Sequence, residues 1–219
     1  MLSKSSQTSI GLSLRNCLIV IDEAHNIPES LCNISAAKLS LPVVQAAIVQ
    51  INAYASRYSI RLAGRNLFYI TQVRRCLDAL LKFLSRPQSQ SHDVPSIFSI
   101  TDIIFALKLD NVNLVKVDRY LTRSRLPQKL LGFTHLIDNE DSAPNESGST
   151  FISKHISSLA VVQTFLQCLT TNQNEGKIAV DWPSDGSKNH NKYNTTVPTL
   201  RYVLFNPSAK FGHVLKDGE

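Results

Sequence analysis

The chain has 219 residues, 43% hydrophobic and 18% charged, which excludes a disordered composition and allows one large domain or two small ones. A formal charge of +6 and a pI near 9.2 favour an anionic partner, nucleic acid before acidic membrane, although a mildly basic domain without one has the same balance. Cysteines at 17, 32, 76 and 168 form no C-x-x-C pair, which argues against a zinc or local iron–sulfur site, and no apolar run approaches the roughly 18–20 residues of a membrane span.

Residues 1–16 are polar and Ser-rich and read as a lead-in without a signal-peptide core. Cys17-Leu18-Ile19-Val20-Ile21 is a short, continuous apolar run, the pattern of a strand buried on both faces of a parallel sheet. Ligands of such sheets sit beyond the strands' carboxyl ends, where Asp22 and Glu23 fall. Pro28 breaks the local pattern. Ser40-Leu41-Pro42 starts a helix over 43–60, with Val44, Ala47, Ile48, Ile51, Ala55 and Tyr58 on one stripe. A second helix over 66–84 pairs with it as a hairpin turning near Gly64. Residues 86–95 read as a polar linker, 97–107 and 113–123 as shorter helices, and 138–149 as a mobile loop. A helix at 155–170 and strands near 178–180 and 200–205 complete the chain.

A buried strand that delivers Asp-Glu at its carboxyl end is the arrangement of a nucleotide-hydrolysing site. The first carboxylate, Asp22, suits Mg²⁺ bridging the β- and γ-phosphates; the second, Glu23, suits orienting the attacking water. An isolated Ile-Asp-Glu also occurs where a strand merely ends in an acidic turn. The full string Leu18-Ile19-Val20-Ile21-Asp22-Glu23-Ala24-His25-Asn26 is much more specific.

That string resembles helicase motif II of the XPD-like iron–sulfur DNA helicases of superfamily 2. Asn26 after His25 points to that group rather than to RNA-dependent DEAH helicases. Arg57-Tyr58 with Arg61-Leu62, Asn66-Leu67-Phe68-Tyr69, Asp110-Asn111-Val112-Asn113-Leu114, Lys129-Leu130-Leu131-Gly132-Phe133 and Leu204-Phe205-Asn206-Pro207 resemble the ChlR branch, the sister-chromatid-cohesion helicases. The resemblance implies an α-rich α/β chain in three parts. Residues 1–32 would belong to the first RecA-like motor domain, with parallel strands. Residues 33–175 would be a mostly helical Arch-type insertion beside the passage for single-stranded DNA. Residues 176–219 would return toward the motor and stop before motif III. It also implies ATP and Mg²⁺ as ligands, Asp22, Glu23 and His25 as catalytic residues, and His25 as the link from the nucleotide site to the rest of the motor. A 4Fe–4S cluster would belong to the parent protein, with ligands outside this chain.

No G-x-x-x-x-G-K-[ST] loop occurs in the sequence, so nothing in it cradles phosphates. The expectation is an internal piece of an ATP-dependent DNA helicase, of 5′-to-3′ polarity by resemblance, acting on single-stranded or forked DNA in the nucleus. Replication, repair and cohesion are the processes implied, with replication or cohesion proteins as partners and no membrane. The isolated chain is expected not to hydrolyse ATP. The alternative is a catalytically dead product that serves as a DNA- or protein-interaction module. Arg57, Arg61, Arg65, Arg74 and Arg75 are candidate DNA contacts, with Arg57 and Arg61 one helical turn apart; a solvated helix face has the same pattern. Lys116, Arg119, Arg123, Arg125 and Lys129 carry the same ambiguity. Tyr54, Tyr58, Phe68, Tyr69 and Phe83 are spaced as core aromatics or as base-stacking platforms.

Overall fold

A computed structural model describes residues 10–11, 20–86, 97–140, 157–171, 176–183, 197–208 and 211–212, with 134–140 and 171 described by backbone alone. The predicted linker beyond 86, most of the 138–149 loop and residues 17–19 of the first strand lie outside this set.

Helix α1, Ile27–Ser35, follows a single 3₁₀ turn at Ala24–Asn26. Pro28 stands in its first turn, where a missing N–H costs nothing, so it starts this helix instead of ending a pattern. Strand β1, Ala37–Ser40, comes next, then α2, Leu41–Arg57, and α3, Gly64–Leu84. These two helices form the expected hairpin, and their buried stripes (Val44, Ala47 and Ile51 against Val73, Leu77 and Leu80) follow the spacing read from the sequence.

The predicted helix at 97–107 divides into strand β2, Ile97–Ser99, and helix α4, Ile100–Ala106. Ser99 makes the division: its hydroxyl accepts the Asp102 N–H at 3.1 Å and donates to the Asp102 carboxylate at 2.6 Å, so the helix begins after it. Helix α5, Leu114–Ser124, is capped by Asn113, whose side chain accepts from the Lys116 N–H at 2.9 Å. Arg125, left-handed at φ 51°, turns the chain into α6, Leu126–Glu140, so backbone at 138–140 is helical where a loop was expected. Helix α7, Ser158–Thr171, and strands β3, Gly176–Asp181, and β4, Thr199–Leu204, fall where the sequence predicted them, with β3 longer.

The four strands form one sheet in the order β1-β4-β3-β2, and every pairing is antiparallel. The parallel pairing expected of a RecA-like motor is not seen among the described residues. A parallel strand needs neighbours supplied by crossovers, and the two central strands here pair only with each other and with β1 and β2. Residues alternate in and out along β1 and β3, and Leu39, Ile178, Val180, Leu200, Tyr202 and Leu204 are buried. Helix α7 is central to the helical layer, packing on β1 and against α2, α5 and α6 through Val162, Phe165, Leu166 and Leu169. The result is one continuous apolar core between helices and sheet.

Across the β3–β4 pair, Arg201 is held by Asp181, at 3.0 Å from Nε and 3.2 Å from Nη2. Both side chains are about two-thirds to four-fifths covered, a setting where a charge-assisted bond counts for more than at an open surface.

Candidate nucleotide-site turn and basic cleft

The motif at 22–26 is a turn, not a strand end. Val20 and Ile21 stand outside any strand, 85% and 40% exposed, which corrects the expectation of a buried strand through position 21. The cause is local: no strand of the described sheet lies beside them. Asp22 is open to solvent, and one of its oxygens accepts the Glu23 N–H at 2.9 Å. Glu23 adopts φ 53°, ψ 45°, a left-handed conformation uncommon for a residue with a Cβ, and its carbonyl accepts the Asn26 N–H at 3.0 Å to close the 3₁₀ turn. Its carboxylate lies 3.1 Å from His25 Nδ1, both side chains being largely exposed.

Asp22, Glu23 and His25 are therefore brought together on one exposed turn. Asp22 keeps an oxygen free of the Glu23 amide, a hard donor of the kind magnesium accepts while retaining most of its water. Among the described residues no group of three or more His, Cys, Asp or Glu side chains could hold a metal ion, so Asp22 offers a single oxygen, with Glu23 and His25 paired beside it.

Elsewhere the cysteines are dispersed. Cys32 Sγ donates to the Leu204 carbonyl at 3.7 Å and Cys168 Sγ to the Ser35 carbonyl at 3.9 Å. Cys76 is buried in α3, which pushes its thiol up to about 12. No helix among the described residues is long and apolar enough to cross a membrane.

The five candidate DNA contacts do not form one patch. Arg57 ends α2, with its guanidinium carbon 5.9 Å from the Phe133 ring centre, next to Tyr54 and Tyr58. Arg61 lies beyond the helix in the 58–63 turn, so the two are not stacked on one helical face as expected: the chain leaves α2 at Tyr58, and the Arg61 N–H bonds to the Tyr58 carbonyl. Arg74 pairs with Asp78 at 3.8 Å along α3, and Arg75 is exposed. Arg65, in the first turn of α3, faces the second basic group instead. It lines a cleft of about 620 Å³ between α3 and α5 with Lys116, Arg119 and Arg123, and Asn66 and Ser124 add polar edges.

Two tyrosines complete the cleft. Tyr69 from α3 and Tyr120 from α5 stack at 4.7 Å with planes 12° apart, tying the helices together. Burial raises the Tyr120 hydroxyl above its usual range, helped by nearby Tyr54 and opposed by a hydrogen bond with Ser124. Sequence reading had both basic groups but not their meeting. The spacing 116, 119, 120, 123, one helical face of α5, was the signal available.

The family model DEAD_2 matches residues 1–43. Over 217 residues the chain is 28% identical to the ATP-dependent DNA helicase chl1 of Aspergillus fumigatus, covering 99% of this chain and 26% of that protein. It is 29% identical to the ATP-dependent DNA helicase DDX11 of Mus musculus over 251 residues, covering 99% and 27%. The DDX11 helicase of Homo sapiens is 26% identical, with 99% and 25% covered. The chain thus spans about a quarter of the length of these relatives.

Proposed function

We propose that this chain, which belongs to the CHL1 and DDX11 branch of the XPD-like helicases, supplies the water-activating turn of an ATP-dependent DNA helicase together with a helical insertion that contacts the DNA. Similarity along 99% of the chain to proteins named ATP-dependent DNA helicases carries this reading, and the joint presentation of Asp22, Glu23 and His25 on one turn supports it.

The chemistry assigned to each residue follows from its position. Magnesium, when bound with the nucleotide, would neutralise phosphate charge and order the water around it. The Asp22 carboxylate, fixed by the Glu23 amide, offers it an oxygen. Glu23 orients the attacking water and takes up its proton. His25 braces the Glu23 carboxylate, so displacement of the histidine by neighbouring elements would alter the water's alignment. A phosphate-cradling loop must come from outside these 219 residues. The same holds for any 4Fe–4S cluster. DNA unwinding, 5′-to-3′ polarity, a nuclear location and a role in replication, repair or cohesion belong to the proposal on the strength of family alone.

The test replaces the matching segment of the mouse relative with this chain. The chimera is expected to hydrolyse ATP with magnesium in a DNA-stimulated manner. Glu23→Gln should lower kcat at least ~100-fold while ATP still binds. A chimera that binds ATP and turns it over equally well with Glu23→Gln defeats the assignment. The 219-residue chain alone is expected to show no turnover, and magnesium-dependent turnover lost on Glu23→Gln would overturn that expectation.

A further inference from the structure

We infer that the outward face of the α2–α3 hairpin, with Ile60, Leu67, Phe68, Arg61, Arg75 and Lys82, docks an acidic protein segment that carries apolar anchors at one end. Helix α3 buries Ile70, Val73, Leu77 and Leu80, and it packs on α2 and α5. Away from that stripe the hairpin is open: Ile60 in the connecting turn is 99% exposed, Phe68 57% and Leu67 47%. A lone exposed apolar side chain is ordinary. Three large ones within residues 60–68, at one end of a hairpin, hold water at an apolar surface that a partner's anchors would release.

Two groups on this face are already prepared for burial. The Phe68 ring meets Tyr69 edge-on at 5.5 Å, with planes 77° apart, which restrains it before any partner arrives. The Thr71 hydroxyl, one turn further along, donates to the Leu67 carbonyl at 2.9 Å, so covering it strands no donor.

The charge around the anchors selects the partner. No acid stands between Glu29 and Asp78, whereas Lys38, Arg57, Arg61, Arg65, Arg74 and Arg75 do. Asp78 itself is taken by Arg74. Arg61, Arg75 and Lys82 are exposed and make no ion pair among the described residues. Phe68, Arg75 and Lys82 recur at intervals of seven, so one face of α3 is apolar in its first turns and cationic beyond them, over a rise of about 20 Å. A partner of matching chemistry has aliphatic or aromatic anchors at one end and carboxylates along the rest. A nucleic acid would satisfy the cations, but its sugar–phosphate backbone has nothing aliphatic to place on Ile60 and Leu67; a protein segment satisfies both. Neither ATP nor DNA enters, so this surface and the proposed function stand or fall separately.

Peptide display tests the assignment without presupposing a sequence. A library of random sixteen-residue segments is panned on the 219-residue chain and on a triple variant, Ile60→Ser with Leu67→Ser and Phe68→Ser. Segments captured by the parent alone are sequenced and synthesised. They are expected to be net acidic, with apolar residues grouped toward one end. Their affinity, read by fluorescence anisotropy, should fall at least ~10-fold in the triple variant. It should fall about 5-fold in Arg75→Glu with Lys82→Glu, with a flatter salt dependence. Lys108→Glu, beyond α4, should stay within about 2-fold. All these substitutions replace exposed side chains, so circular dichroism and melting midpoints should match the parent's. Segments without acidic bias, no segment lost on the triple variant, or a charge-reversed pair that binds as the parent does would each overturn the inference. Displacement of the bound peptide by oligothymidine more readily than by unlabelled peptide would assign the face to nucleic acid and likewise overturn it.

Discussion

Gly176 opens β3 at the point where Tyr202 crosses from β4, and a Cβ there would overlap the tyrosine ring. The ring has no room to yield, since Tyr202 is fully buried in the core. Gly176→Ala is therefore expected to cost about 3 kcal/mol, more than a usual surface change and typical of overpacking; urea unfolding of parent and variant measures it. This requirement was invisible in the sequence, where Gly176 is one of eight isolated glycines. Its need arises only when a residue 26 positions later lands on it. The motif at 22–26 is the opposite case. Its residues are neighbours in the chain and the turn that presents them is local, so their meeting on one turn was legible in the sequence. The exposure of Val20 and Ile21 was not, because burial depends on what packs against a segment. The left-handed backbone at Glu23 was not foreseeable either, as nothing in a glutamate side chain asks for it.

Among the elements, α5 shows how a short helix can be fixed in rotation. Asn113 caps its first turn, Leu114, Val117 and Leu121 bury one stripe, and Asp118 is gripped from α7. Asn113→Ala should remove the cap and cost about 1 kcal/mol, read as a shift in the chemical denaturation midpoint without a change in slope. Helices with long apolar stripes, α2, α3 and α7, were readable because eleven or more residues of period 3.6 carry a strong signal. The elements that sequence reading lacked are the short or unusually started ones. Helix α1 begins at a proline that looked like a breaker, β1 spans four residues, and β2 spans three that run directly into α4. Helix α6 follows α5 after one left-handed residue, with Pro127 in its first turn and no glycine to announce the break.

At the scale of the whole molecule, the sheet is assembled from chain segments far apart. Its edges, β1 and β2, come before residue 100, and its two central strands, β4 and β3, come after residue 175. The helices between them close on that sheet in one core. Removing residues 176–219 is therefore expected to do more than shorten a tail. It deletes both central strands and uncovers Leu39 together with the sheet-facing side of α7. The truncated chain should lose its cooperative thermal transition, whereas the full chain should melt in one; calorimetry of the two distinguishes the outcomes. A 1–175 product that melts as sharply as the full chain would contradict this.

The strand order also determines how the sheet meets its surroundings. The longest strands, six residues each, sit inside and spend their hydrogen-bonding groups on each other and on their short flanks. Among the described residues the outward rims are four and three residues long, and each runs straight into a helix. Rims as short as those described give an incoming extended segment little to zip against, so geometry rather than a row of repelling charges is what would oppose edge-to-edge pairing there.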